Sequence, residues 1–171
     1  NGPYILMFNH GSFIDPFVYA AIIKGKFTAV IAAENYKIPI FSSILRKFRA
    51  IPIHRKNRKK AMESIKYAES VIKNEGYHIL PEGTRTLNGK LKQFKKGGFH
   101  MAINTNTPIL PIGAVLPFKY KPKNHWYVHP CIIDIYIGEE TDVNEYDQLG
   151  VSGLLEKVEN QIENLISKKG S

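Results

Sequence analysis

One cysteine in 171 residues, Cys131, excludes an internal disulfide framework and fits a reducing compartment. Also missing is any apolar run of the ~18–20 residues that a bilayer-spanning helix needs. The opening Asn1-Gly2-Pro3 leads straight into an apolar run, which is not a signal-peptide pattern. Internal repeats, low-complexity tracts and long linkers are lacking too. Acidic residues are scarce against basic ones, 15 to 24, for a formal charge of +9. That excess implies attraction to an anionic partner: nucleic acid, an anionic membrane or a phosphorylated substrate. Charge alone does not choose among them. With 43% hydrophobic and 23% charged residues, the chain has neither a disordered nor a coiled-coil composition. Its length favours one domain, residues 1–171, with a substantial core. Because the first residue is not Met, upstream sequence is expected.

The apolar pattern alternates between two periods. Tyr4-Ile5-Leu6-Met7-Phe8 is short, wholly apolar and bounded by Pro3 and Asn9, as in a strand buried on both faces. Residues 16–23 follow as a helix with proline in its first turn, and residues 28–33 as a second strand. Residues 40–48 have helical spacing, 50–53 read as a third strand, and 59–73 as an amphipathic helix with Ala61, Ile65, Ala68 and Ile72 on one face. Residues 77–80 form a fourth strand, 97–104 a short helix, and 108–115 a strand begun and interrupted by proline. Residues 127–137, rich in β-branched side chains, give one long or two short strands. Val151, Leu154, Leu155, Val158, Ile162, Leu165 and Ile166 then make the stripe of a last helix. This alternation predicts an α/β fold with a mixed, mostly parallel sheet flanked by helices.

Three polar clusters fall just after predicted strands. Asn9-His10-Gly11-Ser12-Phe13-Ile14-Asp15 follows the first, His54-Arg55 the third and Pro81-Glu82-Gly83-Thr84-Arg85 the fourth. Ligands of open α/β sheets bind beyond the carboxyl ends of the strands, so the clusters are expected to converge on one site. Asp15, five residues after His10, is able to accept a hydrogen bond from one ring nitrogen, leaving the other as a base for a substrate hydroxyl. From spacing alone, an Asp15 that only caps the helix before Pro16 is equally open. In the third cluster, Gly83 lets backbone approach a ligand and Arg85 offers a forked grip on phosphate; a surface turn with an ion pair is the plainer alternative. Arg55 opens the basic run of residues 55–60, most of which reads as a solvated face. It stands apart by lying nearest the strand end.

Together the clusters resemble the lysophosphatidic acid acyltransferase family of the glycerophospholipid acyltransferase superfamily. Asn9-His10 through Asp15 matches its first motif, His-x4-Asp. Ile38-Pro39-Ile40-Phe41 with Ala50-Ile51-Pro52-Ile53-His54-Arg55 resembles the second, and Leu80-Pro81-Glu82-Gly83-Thr84-Arg85 the third, with Thr86 where serine is usual. Phe94-Lys95-Lys96-Gly97 and Pro108-Ile109-Leu110-Pro111-Ile112 resemble the stretch leading to the proline-rich fourth. The motifs occur in order over residues 5–115.

The resemblance implies direct transfer of an acyl group, without an acyl-enzyme, from a thioester to a lysophospholipid hydroxyl. The donor is acyl-CoA or acyl carrier protein, with no cofactor or metal. The acceptor is 1-acylglycerol 3-phosphate, giving phosphatidic acid, or another lysolipid. His10 is then the base and Asp15 its orienting partner. Arg55, Glu82, Gly83, Thr84 and Arg85 bind substrate, the arginines holding phosphate. The family has no role for a serine at Ser12, and Cys131 falls in a late apolar strand as core. One departure is that Ala32-Ala33-Glu34-Asn35-Tyr36-Lys37 lacks the family's phosphate-contacting lysine at the matching place, which implies weaker phosphate binding, a substitute in Lys37 or Lys95, or a different acceptor. The apolar helices that usually precede the first motif are also absent, so an N-terminal membrane-anchoring segment is expected upstream.

The lipid substrates implied by the resemblance lead to an expected place at the cytoplasmic face of a membrane, peripheral or anchored by an upstream segment. The partner expected is an anionic surface met by basic residues 55–60, 90–96 and 119–123, with Phe118 and Tyr120 inserting or packing internally. Two rival readings remain. A metal-dependent phosphoesterase would use His10, Asp15, His54 and His78, at a spacing that matches no trusted zinc pattern. A nucleic-acid module would interleave exposed aromatics with its basic residues, whereas most aromatics here sit in apolar runs. No nucleic-acid partner is expected.

Overall fold

The computed structural model describes residues 2–10, 15–75, 77–80, 91–115 and 132–167. The first apolar run forms β1 (Ile5–Phe8), buried along its whole length. It is followed by α1 (Asp15–Ile22), β2 (Phe27–Ala32), a 3-10 turn at Ala33–Lys37, α2 (Pro39–Lys47) and β3 (Ile51–Ile53). Then come α3 (Arg58–Glu75), β4 (His78–Leu80), α4 (Lys96–Thr105), β5 (Ile109–Val115) and β6 (Asp134–Ile137). A second 3-10 turn at Val143–Glu145 leads into α5 (Tyr146–Ser167).

The six strands make one sheet in the order β3-β2-β4-β1-β5-β6. All neighbouring pairs are parallel except β5 with β6, so the sheet is mixed and mostly parallel. Strand pleating sends alternate side chains to opposite faces. Ile5 and Met7 join a core with Ala68, Ile72, Phe99, Leu154 and Val158, which α3, α4 and α5 cover. Leu6 and Phe8 join a second core with Tyr19, Ile112 and Ala114, on the α1 side. β1 is therefore buried on both faces, which is why it has no polar residue.

Two backbone details set the layers. A Cβ on Gly113 of β5 would lie 2.6 Å from the Leu165 Cβ, so the missing side chain is what lets α5 press against the sheet. Pro111 sits inside β5 without ending it. Its carbonyl accepts from the Gly138 N–H at 2.8 Å, so the missing N–H falls on the β6 side, where β6 has already stopped at Ile137.

The predicted elements are present with ends shifted by one or two residues, except in two places. Of the strand expected over residues 127–137, β6 accounts for the end, and 127–131 lie outside the described residues. The last helix begins at Tyr146 rather than at Val151, because two helical pieces join across Gly150, whose φ of 57° interrupts regular helix.

His78 opens β4 at the amino end of the strand, away from His10. Its Nδ1 accepts the Tyr4 backbone N–H at 3.0 Å, and its ring stacks on that of Tyr4. Burial lowers its pKa below the ordinary 6.5, opposed by a backbone hydrogen bond to Lys24. A lowered folded pKa means that stability is fully present above the unfolded value and is lost as pH falls from about 6.5 toward the folded one. Urea midpoints measured from pH 7.5 to 5.5 should fall more steeply for the wild type than for His78→Asn, whose amide oxygen can replace Nδ1 as acceptor. Parallel slopes would refute this.

Candidate active site

β1 carries His10 just beyond its carboxyl end, and α1 brings Asp15 to meet it. The His10 Nδ1 lies 2.7 Å from the Asp15 Oδ2. The Asp15 side chain is 1% exposed and that of His10 16%. A carboxylate only accepts, so with Asp15 ionised the shared proton belongs to Nδ1 and the lone pair to Nε2. Asp15 also heads α1, where the positive end of the helix dipole favours a negative charge. Asp15 therefore places its charge in the first turn of α1 and holds the imidazole from there.

The turn that bears His10 is tied at further points. The Asn9 Nδ2 donates to the Ala114 carbonyl at 2.8 Å, and the Ala114 N–H donates to the Asn9 Oδ1 at 2.8 Å. The Tyr19 hydroxyl donates to the Asn9 carbonyl at 3.0 Å. Phe8 packs its ring 3.9 Å from that of Tyr19 and stands edge-on to the His10 ring at 6.3 Å. No role for Asn9 or Tyr19 follows from the motif string. The available signal was Tyr19 lying four residues after Asp15, hence on the same face of α1.

Arg55 leaves the carboxyl end of β3 and is exposed, as are Lys56, Arg58, Lys59 and Lys60. The Asn57 Oδ1 accepts from the Lys60 N–H at 3.0 Å at the start of α3. Three strand spacings separate β1 from β3, roughly 14 Å between strand axes. β4 lies beside β1 and ends at Leu80, one residue short of Glu82; Glu82, Gly83, Thr84 and Arg85 lie outside the described residues. So do Ser12, Cys131, Phe118, Tyr120 and residues 119–123. At the same end of β2, Lys37 is exposed and Tyr36 donates its hydroxyl to the Ala50 carbonyl.

Of the four residues a metal site would need, His78 is at the opposite end of the sheet with its Nδ1 engaged by Tyr4. Among the described residues, no group of three or more His, Cys, Asp or Glu is placed to hold a metal ion.

The sheet and the His10–Asp15 pair define an α/β protein with a carboxylate-supported imidazole at a strand end. Residues 1–115 match the family model described as Acyltransferase, and the chain belongs to that family. It is 31% identical over 159 residues to a 1-acyl-sn-glycerol-3-phosphate acyltransferase of Cocos nucifera, spanning 90% of this chain and 51% of that protein. It is 29% identical over 138 residues to a Pseudomonas aeruginosa protein of the same name, spanning 80% of this chain and 53% of that one. The chain thus spans about half the length of these curated relatives. The crystal structure of the 1-acyl-sn-glycerophosphate (LPA) acyltransferase from Thermotoga maritima has the same fold. It superposes with a TM-score of 0.83 at 23% identity, over 100% of this chain and 69% of that one.

Proposed function

We propose that this chain transfers a fatty acyl group from a thioester, on coenzyme A or acyl carrier protein, to the free hydroxyl of 1-acylglycerol 3-phosphate, giving phosphatidic acid. The observation that carries the reading is the 2.7 Å contact between His10 Nδ1 and a buried Asp15 beyond β1, in a chain of the Acyltransferase family. His10 Nε2 takes the acceptor's proton as its oxygen attacks the thioester carbonyl. The C–O bond forms, the tetrahedral intermediate collapses, the C–S bond breaks, and the imidazolium returns its proton to the departing thiolate. Asp15 stabilises the transient imidazolium and keeps the proton on Nδ1. No residue is acylated. Arg55 and Arg85 hold the acceptor's phosphate, with Glu82, Gly83 and Thr84 binding substrate beside Arg85.

The test is a radiolabelled acyl-transfer assay offering several lysolipids and glycerol 3-phosphate, with acyl-CoA and with acyl carrier protein. Label is expected in phosphatidic acid. Label in another lipid would reassign the acceptor, and none in any acceptor would overturn the reading. Arg55→Lys and Arg85→Lys keep the charge but lose the fork, so each should raise the acceptor's KM more than the donor's. A rise confined to the donor would assign these arginines to its phosphates instead.

A lipid acceptor requires contact with a membrane. Among the described residues no helix is long and apolar enough to cross one. At the carboxyl end of β2, Ile38 and Ile40 are 49% and 81% exposed, and the basic run of residues 55–60 leaves the end of neighbouring β3. Lys92, Lys95 and Lys96 are exposed as well. We assign this surface to an anionic bilayer, on which each Lys or Arg near the surface contributes about 1 kcal/mol. Sedimentation with vesicles should require anionic lipid and weaken as salt shortens the Debye length below about 8–10 Å. Equal binding to neutral vesicles in high salt would replace charge by apolar insertion, and no binding to either would sink this docking surface.

A further inference from the structure

We infer that Asn9 and Tyr19 are positioning residues for His10: they fix the backbone that carries the imidazole, and so the place at which Nε2 meets the acceptor. The inference rests on the acyl-transfer reading above and adds two residues to it.

The argument starts at the end of the β1–β5 ladder. Backbone pairing runs in register from Ile5 with Ile109 to Phe8 with Ile112 and then stops. The Asn9 side chain takes the next place. Its amide presents an N–H donor beside a carbonyl acceptor, as a strand's backbone does, and both meet Ala114, at 2.8 Å each. The sheet is thereby extended by a side chain while the main chain of residue 9 turns away from it. A departing backbone at a strand end has soft dihedrals, and the next residue inherits their spread.

Tyr19 removes that spread. The turned-away carbonyl of Asn9 accepts the Tyr19 hydroxyl at 3.0 Å. Tyr19 is itself immobilised, fully buried with its ring against Phe8. Burial, helped by the charge of Asp15, pushes its pKa far above the ordinary tyrosine range, so it remains a donor. Tyr19 and Asp15 lie one helical turn apart on α1. One face of α1 therefore grips His10 twice, at the ring through Asp15 and at the preceding peptide through Tyr19. Meanwhile β5 holds the neighbouring side chain, 105 positions along the chain. Neither residue exchanges a proton in the reaction, since both act on the backbone behind His10. Their effect is orientation, where a displacement of about 1 Å is able to cost 10²-fold in rate.

Tyr19→Phe keeps the ring and its packing and deletes the hydroxyl. Asn9→Asp keeps the shape but turns a carboxylate oxygen toward the Ala114 carbonyl. Each should lower kcat by about 10- to 100-fold with both KM values unchanged, in protein whose thermal melt shows it folded. Placed on His10→Ala, Tyr19→Phe should cause no further loss, because residues acting as one unit are not additive. Wild-type kcat in both variants, or the same factor lost again without His10, overturns the inference. If Asn9→Asp does not fold, Tyr19→Phe decides alone. A second measurement needs no turnover. The downfield Nδ1–H proton resonance of His10, assigned by its loss in His10→Ala, should broaden or shift in Tyr19→Phe. An unchanged resonance also overturns the inference. Failure of the acyl-transfer reading shows differently, as wild-type turnover in His10→Ala itself.

Discussion

His10→Ala is expected to lower acyl transfer by about 10²–10⁴-fold, the usual worth of a general base, while the protein keeps its fold. The ring is 16% exposed and stands beyond the end of β1 rather than in either apolar core, so its removal leaves the sheet packing intact. The loss should appear in kcat and in kcat/KM alike, because deprotonation of the hydroxyl belongs to the transition state and not to binding. Single-turnover rates with labelled acyl donor, alongside thermal melts, make the comparison. Near-normal turnover in a protein with a wild-type melt would remove His10 from the mechanism and leave the chemistry without a base.

The elements were legible because burial on both faces writes them plainly. Ile5-Leu6-Met7-Phe8 has no polar residue since each face of β1 meets a core. The α5 stripe runs at helical spacing because it lies along β5, close enough for Gly113 to be required. Strand order was not legible. β4 inserts between β1 and β2, and periodicity along a chain carries no information about which strand will lie beside which. Pro111 argued for an interruption, and only its pairing at the edge of β6 shows why there is none.

The site was legible in part for the same reason. Its polar residues stand out at the ends of apolar strands, and the parallel sheet brings the ends of β1, β4 and β3 to one side. Spacing left two roles open for Asp15, and the 2.7 Å contact shows that it pairs with His10 from the first turn of α1. Asn9 was visible as the residue that stops a strand and opens the first motif, without a role of its own. Its partner Ala114 is separated from it by most of the chain, and no local pattern marks such a pair.

Asp15→Asn separates those two roles. Asparagine caps helices about as well as aspartate, and the lost dipole interaction is worth only about 0.3–1 kcal/mol. If Asp15 merely capped α1, the variant would keep both its melt and its activity. The pairing with His10 predicts otherwise. The asparagine amide can donate to Nδ1, which draws the imidazole proton onto Nε2, the atom that must be free to accept the substrate's proton. Loss of rate should approach about 10⁴-fold, the scale of the wrong tautomer in a Ser-His-Asp triad. Asp15→Ala, which leaves both tautomers available, should be no worse than Asp15→Asn. Steady-state kcat/KM and melting temperature, measured on the same preparations, decide between the roles. Turnover of Asp15→Asn at the wild-type rate would reduce Asp15 to a helix cap and leave the orientation of His10 to the groups that hold its backbone.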